Sequence, residues 1–283
     1  MALELIISIT VICLSGLTKV NAQELGAVIE FADSEYLSGN YETAVMEYQR
    51  ALFFCKDSSQ PYLQKQIGLC FFSLNDFERA GQFLRDASDN YPDDSIKLEC
   101  KFGVISCSIQ QRRFFTALDE LSLIPETKQD YFNRKKFFYS GVCHWGTDRY
   151  DAAFDSFNKC VPENDPNKLQ RLQALETVFR KPACPNPHLA FILSILPGIG
   201  QIYAGDVQSG IFSMLFCSFL LTTGYFSVLA LKSNIILLYL IPWIQRYYVG
   251  GMIYAREIAE QRISDRNSMI YLEILDILTQ REN

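Results

Sequence analysis

The sequence has few residues of the kinds that build metal or nucleic-acid sites. Its 283 residues include only two histidines, which argues against a metal site made of several histidines. Lys and Arg number 26 against 32 Asp and Glu, and the net charge of −6 argues against a general nucleic-acid-binding protein. No G-x-S-x-G, H-E-x-x-H, P-loop or dinucleotide-binding sequence occurs, and we therefore expect no enzymatic activity, no cofactor and no bound metal.

Cysteine is present, but its spacing does not indicate a disulfide framework. The chain has nine cysteines, none of them in a C-x-x-C pair. Cys13 and Cys217 lie in apolar segments, which leaves an odd number that cannot all pair within one chain. Cys100 and Cys107 are two helical turns apart, roughly 10 Å along a helix axis and too far for a bridge. We expect free, packed thiols, and one bridge stays open as an alternative.

The N-terminal segment has the features of an export signal. Leu5–Leu17 is an apolar run that is short for a membrane span, and Val20-Asn21-Ala22 supplies small or branched residues before a cleavage site. One feature disagrees, because Glu4 precedes the run and no Lys or Arg does. We predict a cleaved signal peptide over residues 1–22, and the alternatives are an uncleaved anchor and a buried helix.

A pattern of about 36 residues recurs four times between residues 25 and 165. Its most regular member is an alanine, spaced by 36 or 37 residues, at Ala44, Ala80, Ala117 and Ala153. An aromatic residue precedes each alanine by three positions, at Tyr41, Phe77, Phe114 and Tyr150. Further apolar residues follow at spacings of four and three, which places one small-large-small stripe on a helix. The pattern predicts an array of helix pairs that are stable only when stacked on their neighbours.

The second copy of the pattern carries the fullest set of signature residues, Gly68, Phe71, Phe77, Ala80, Leu84, Ala87 and Pro92. With these residues the array resembles the tetratricopeptide repeat (TPR) family. The first and fourth copies match well, whereas the third has Ile105 and Ile124 where small residues are usual. The resemblance covers residues 25–165 and implies an α-solenoid of about four helix pairs.

The resemblance also implies a concave groove that binds a peptide or a partner protein. Ten mainly aromatic and apolar residues fall at groove positions, namely Tyr36, Tyr62, Lys65, Leu69, Phe72, Phe102, Ile109, Lys135, Phe138 and Trp145. Such a lining differs from that of a basic groove that clamps a carboxylate. The alternative is that these side chains pack against the next repeat or the membrane domain, because large apolar side chains are usually buried.

Residues 187–256 have the composition of a membrane domain. We predict one span over residues 208–231, where no charged residue occurs, and a second over residues 235–255. Residues 189–204 form either a third, short span or a re-entrant segment. We favour three spans, because two would place the arginines on both sides of the domain outside the cytoplasm.

Two helical segments flank this domain in the prediction. Residues 166–186 form a helical and proline-rich connector. Residues 257–283 form an amphipathic C-terminal helix, with Ile270, Ile274 and Ile277 on one face. That helix has three alternative locations: the repeat array, the membrane surface, or a partner protein.

Residues 197–205 have the form P-G-x-G-Q-x-Y-x-G, and this block resembles the motif of small bacterial membrane hairpin domains that follow TPR arrays. The resemblance covers residues 181–259 and implies an architecture without a known chemistry. The candidate residues of the membrane domain are Pro197, Gly198, Gly200, Gln201, Tyr203, Gly205, Asp206 and Arg246.

These residues carry three specific expectations. Asp206 is expected to cap the helix that starts at Val207, and Gln201 and Tyr203 to satisfy the carbonyls that Pro197 leaves free. Arg246 is either a functional residue paired with Asp206 or Tyr203, or a residue near the membrane interface.

The sequence therefore predicts an all-α protein, a TPR-like solenoid followed by a helical transmembrane domain. We expect an integral membrane protein of a bacterial cell envelope, in the inner membrane, with the repeats exported to the periplasmic side. Its expected function is that of a non-catalytic scaffold that binds a protein or peptide, with membrane lipid and a second copy of the chain as further partners. The alternative is a membrane-active device, in which the motif and Arg246 handle a lipid, a substrate or a translocated chain.

Overall fold

A computed structural model describes residues 25–55, 59–127, 129–162, 164–231 and 235–279. These residues form thirteen helices and no strand, which confirms the all-α prediction. The chain divides into two compact units, with the division between residues 163 and 164. The predicted signal peptide, residues 1–22, lies outside the described residues.

The first unit consists of eight helices that form successive pairs. The first helices of the pairs are α1 (described over 25–37), α3 (Gln60–Ser73), α5 (Asp94–Gln110) and α7 (Asp130–Gly146). The second helices are α2 (Tyr41–Phe54), α4 (Phe77–Asn90), α6 (Phe114–Ser122) and α8 (Tyr150–Cys160). Each helix from α2 to α7 packs on the one that follows it in the chain.

One turn geometry links the two helices of every pair. Its left-handed residue recurs every 36 or 37 positions, at Gly39, Asn75, Arg112 and Asp148. In each copy the amide of this residue donates to the carbonyl three positions earlier, and the next amide donates to the carbonyl five positions before its own residue. This is the Schellman arrangement, which satisfies the last carbonyls of the first helix. The four turns have the same spacing as the four alanines.

Small residues allow the paired helices to approach each other closely. The four alanines, Ala44, Ala80, Ala117 and Ala153, are fully buried at 0% exposure. In the second pair a Cβ atom placed on Gly68 would lie 2.7 Å from Leu84 Cγ, and in the fourth pair one placed on Gly141 would overlap the ring of Phe157. In each of these pairs the glycine therefore lies so close to the large residue of the partner helix that even the methyl group of an alanine would overlap it.

The third pair is built differently, as its sequence suggests. Ile105 and Ile124 are both buried at 1% and 2% exposure, where the other pairs have smaller residues. Phe102 stacks on Phe132 and Tyr139, with ring centroids 6.2 and 5.7 Å away. The core of the third pair is thus built from bulkier side chains.

The repeated turn gives a first test. Because a left-handed conformation strains residues that carry a Cβ atom, replacing Arg112 with glycine is expected to stabilise the first unit by about 0.5–1 kcal/mol. The matched control is Gly39→Ala at the same turn position, which is expected to destabilise the unit by about 1 kcal/mol. Urea unfolding of residues 25–163 measures both changes. Equal stability of the two variants would contradict the turn assignment.

The second unit contains five helices, among them the longest of the chain. They are α9 (Pro166–Arg180), α10 (Pro187–Leu193), α11 (Ile199–Ala204), α12 (Val207–Leu231) and α13 (Ile235–Thr279). We predicted a span over residues 235–255 and a separate C-terminal helix from residue 257, whereas α13 is continuous through that point. No proline or glycine follows Gly251 in α13, so nothing in its sequence ends the helix there. The predicted apolar face, Ile270, Ile274 and Ile277, is buried, and α9 packs on α13.

Among the described helices, Val207–Ser227 alone is long and apolar enough to span a membrane. The second predicted span forms the first part of α13, where Pro242, Gln245 and Arg246 interrupt the apolar run. Residues 189–204 are divided between α10 and α11, with seven and six residues. Helices of that length extend only about 10 Å, and neither one crosses a bilayer of about 30 Å by itself.

Candidate functional site

The glycines of the motif allow three segments of backbone to meet. Gly198 has φ +88°, and a Cβ atom there would overlap the carbonyl oxygen of Gly210 on α12. A Cβ atom on Gly200 would overlap Ser194 Oγ and the carbonyl oxygen of Ala190 on α10. The motif therefore brings α10, α11 and α12 together at distances that only glycine permits.

Alanines complete this contact on the side of α13. Ala190 of α10, Ala204 of α11 and the pair Ala255 and Ala259 of α13 are all at 0% exposure and form one cluster. These small side chains thus allow the motif helices to pack against α13.

Asp206 caps α12, as its position before Val207 predicted. Its Oδ1 accepts a hydrogen bond of 2.9 Å from the amide of Ser209. The hydroxyl of Tyr254, on α13, donates to Oδ2 over 3.4 Å. Hydrogen bonds from the amide and side chain of Ser209 hold the pKa of the Asp206 carboxyl below its ordinary value. Asp206 therefore serves as a charged cap at the start of the apolar helix.

Side chains of α13 satisfy the carbonyls that the breaks between the short helices leave free. The hydroxyl of Tyr248 donates to the carbonyl of Ile195 over 2.8 Å, and Arg262 donates to the carbonyl of Gly205 over 3.1 Å. Arg266 donates to three carbonyls at the end of α9, those of Val178, Phe179 and Lys181, at 2.7, 3.1 and 2.9 Å. The long helix thus supplies the donors that hold the breaks in place.

Gln201 and Tyr203 were expected to satisfy the carbonyls that Pro197 leaves free, and the structure gives them other positions. The hydroxyl of Tyr203 accepts a hydrogen bond of 3.1 Å from the amide of Asn186. Gln201 is 5% exposed, and its Oε1 has no hydrogen-bond partner. Neither side chain is bonded to a carbonyl next to Pro197, because donors from α13 reach the breaks instead.

A cleft of about 730 Å³ lies between α11, α12 and α13. Its polar lining comes from Gln201, Ser209, Arg246 and Tyr254. The structure thus brings together two of the predicted membrane-domain residues, Gln201 and Arg246, whereas Tyr203 and Asp206 are not among the lining residues.

Aromatic rings form the rest of the wall. Phe212 and Phe216 of α12 face Trp243 and Tyr247 of α13 across the cleft. The rings of Phe216 and Tyr247 lie 4.5 Å apart, centroid to centroid. The cleft therefore combines a positive charge with an apolar wall.

Arg246 has neither of its predicted partners. The carboxylate of Asp206 is bonded to Ser209 and Tyr254, and Tyr203 is bonded to Asn186. Among the residues that the structure describes, none forms an ion pair with Arg246. Its side chain is exposed and lines the cleft.

Four of the ten predicted groove residues belong to the repeated turns. Tyr36 contacts Tyr41, Phe72 contacts Phe77, and Trp145 contacts Tyr150 edge to face, with centroids 5.5, 5.3 and 4.9 Å apart. In each case the two rings are five positions apart, on either side of the left-handed residue. Ile109 has the equivalent place before Arg112. The ring contacts across the turn account for the positions of Tyr36, Phe72 and Trp145.

The predicted groove needs a correction at Phe102, which is buried. It is 1% exposed and lies in the core beneath Lys135, whose Nζ is 5.0 Å from its ring centroid. A ligand cannot contact Phe102 in this conformation, and we leave it out of the binding surface. The sequence pattern of α5 does not show which of its large residues are buried and which are accessible.

The remaining five, Tyr62, Lys65, Leu69, Lys135 and Phe138, are half-buried on α3 and α7. The hydroxyl of Tyr62 donates to Asp33 over 2.9 Å, and Lys135 forms an ion pair with Glu99. Sequence reasoning missed Asp33 and Glu99, since single acidic residues carry no spacing signal.

No disulfide joins the eight cysteines in the described part of the chain. Burial raises the pKa of Cys70 and Cys107 to about 11 and that of Cys143 to about 12. A raised pKa means that the folded state retains protons that the unfolded state loses. These thiols therefore contribute stability below pH 9, and the contribution is lost as pH rises toward 11 and 12.

This linkage gives a second test. The unfolding free energy of residues 25–163 is expected to decrease between pH 9 and pH 11. In the Cys143→Ala variant this decrease is expected to be smaller, because one thiol with a raised pKa is removed. Urea titrations at both pH values measure the slope. Identical slopes in the two proteins would show that Cys143 is not held as a thiol.

No model of a known protein family matches this chain, and no curated protein matches it in sequence. Among the described residues, no group of three or more His, Cys, Asp or Glu is placed to hold a metal ion.

Proposed function

We propose that the chain is a membrane-anchored, TPR-like scaffold that binds a protein or peptide partner at a bacterial cell envelope and has no catalytic role. One observation carries the proposal: the same chain holds a unit of paired helices with a repeated turn and, after it, a helix of membrane-spanning length. An array of pairs supplies an extended surface for a partner, and the apolar helix supplies the anchor.

The exposure of α12 supports the anchor. Only 28% of the apolar segment within Val207–Ser227 is buried, whereas the core helix of a soluble protein is mostly buried. Its large apolar residues, such as Phe212, Phe219 and Phe226, are more than 60% exposed. An apolar surface of this extent is stable in contact with lipid and unfavourable in water.

The half-buried residues of α3 and α7 support the binding surface. The Lys135 ammonium and the Tyr62 hydroxyl already have partners within the unit. The accessible parts of Leu69 and Phe138 are apolar. We therefore expect the partner to present an apolar segment to the first helices.

In-cell photo-crosslinking of the full chain tests this function. A photoreactive residue at Leu69 and, separately, at Phe138 is expected to capture one and the same protein. The matched control is Met46, which is 61% exposed on α2, a second helix, and is expected to capture none of it. Capture of the same proteins from all three positions, or of this chain alone, would contradict a partner surface on the first helices.

A further inference from the structure

We propose that the cleft lined by Arg246 binds the headgroup of a membrane phospholipid, a glycerophosphate that carries a hydroxyl or amine donor. This goes beyond the scaffold function, for which α12 need only be an anchor. Three independent features of the cleft lead to this ligand: its charge, its unpartnered acceptor, and its depth along α12.

Charge comes first. Arg246 has no ion-pair partner among the described residues, yet it lines a cleft whose walls are mainly aromatic and glycine. An arginine beside apolar helices is costly unless an anion accompanies it. Its planar guanidinium forms two parallel hydrogen bonds to a phosphate, which makes phosphate a well-matched anion.

The second feature is Gln201, which lines the same cleft. It is 5% exposed, and its Oε1 has no donor. A buried acceptor without a donor is unfavourable, so a ligand that brings a donor is favoured. A doubly ionised phosphate has no hydrogen-bond donor. The hydroxyl groups of phosphatidylglycerol and the ammonium group of phosphatidylethanolamine supply one.

The third feature is depth. The α12 residues that line the cleft, Ser209 to Phe216, lie roughly 3 to 14 Å along the helix axis from Val207, at 1.5 Å per residue. In a hydrocarbon core of about 30 Å, this is the zone between headgroup and upper acyl chain. Trp243 and Tyr247 on the opposite wall are the residue types found at that interface. A headgroup at Arg246 would leave its acyl chains along the exposed rings of Phe212 and Phe216.

Native mass spectrometry of the full chain in detergent tests the proposal. With phosphatidylglycerol added, one bound lipid per chain is expected, and phosphatidylethanolamine is expected to bind comparably. Phosphatidylcholine has the phosphate but no N–H or O–H donor in its headgroup, and it is expected to bind several-fold more weakly. Arg246→Gln is expected to reduce phosphatidylglycerol binding about tenfold.

The matched control is Arg256→Gln, which removes the same charge from α13 outside the cleft. Arg256 pairs with Glu260 there, and its loss is expected to leave lipid binding unchanged. Arg246 has no ion-pair partner among the described residues, and the exposed pair of Arg256 with Glu260 contributes little to stability, so similar melting temperatures of the two variants are expected. Arg246→Lys, which keeps the charge and loses the planar fork, is expected to bind with intermediate strength.

Two results would overturn the proposal. Equal loss of phosphatidylglycerol from the Arg246 and Arg256 variants would show that net charge alone attracts the lipid. Displacement of the lipid by millimolar glycerol phosphate would show that the site takes a free phosphate compound and makes no use of the membrane. Because neither result depends on the partner-binding residues of the first unit or on a protein partner, failure here is distinguishable from failure of the scaffold function.

Discussion

Replacing Gly200 with alanine is expected to cost about 3–5 kcal/mol and to prevent the second unit from accumulating in its folded form. The added methyl group would overlap Ser194 Oγ and the carbonyl oxygen of Ala190. Ala190 is itself at 0% exposure in the alanine cluster with α13. Because the obstructing atoms include backbone held on two sides, α10 has no direction in which to move.

The matched control lies in the same unit. A Cβ atom at Gly250 meets nothing within 4 Å, and Gly250 is inside helix α13. Gly250→Ala is therefore expected to be neutral or to stabilise by up to about 1 kcal/mol, from helix propensity alone. Thermal unfolding of both full-length variants in detergent measures the difference. If Gly200→Ala melts within a few degrees of Gly250→Ala, the close contact between α10 and α11 does not exist.

Replacing Gly141 with alanine is expected to destabilise the first unit by about 2–4 kcal/mol. The new methyl group would overlap the ring of Phe157, which is at 0% exposure and cannot rotate away. Relief would require α7 and α8 to separate, which opens space around Ala153. The expected effect is larger than that of Gly68→Ala, because the flexible side chain of Leu84 adjusts more readily than a ring.

Gly81→Ala is the control for this substitution. Gly81 lies in α4, and its nearest neighbour would be Cys107 Cβ at 3.7 Å, an ordinary contact. We expect this variant to be as stable as the parent or more so. Urea unfolding of residues 25–163 compares the two. Similar midpoints for Gly141→Ala and Gly81→Ala would contradict the close packing of α7 on α8.

Local spacing was enough to predict several features of the fold and the site. The cap at Asp206 depends on a contact three positions along the chain, and the four alanines follow from the spacing of one helix face. Such contacts follow from helical geometry, which the sequence pattern expresses directly. The predicted apolar face of the C-terminal helix, with Ile270 and Ile274, is buried for the same reason.

Contacts between distant parts of the chain were not predictable in this way. The bonds from Arg262 to Gly205 and from Arg266 to Val178 join residues 57 and 88 positions apart. No spacing rule connects such pairs. Phe102 and Trp145 show the same limit. Both occupy first-helix positions of the pattern, yet one is buried in the core and the other packs across its own turn.

Membrane fractionation of the full chain and of residues 25–163, expressed side by side, tests the central claim most directly. The account predicts that the full chain stays in the membrane pellet after alkaline carbonate extraction, because α12 lies in the bilayer. Residues 25–163 are expected in the soluble fraction, with a helical circular dichroism spectrum and one cooperative unfolding transition. Release of the full chain by carbonate, or an insoluble or non-helical fragment, would contradict a helix-pair unit held at the membrane by a separate anchor.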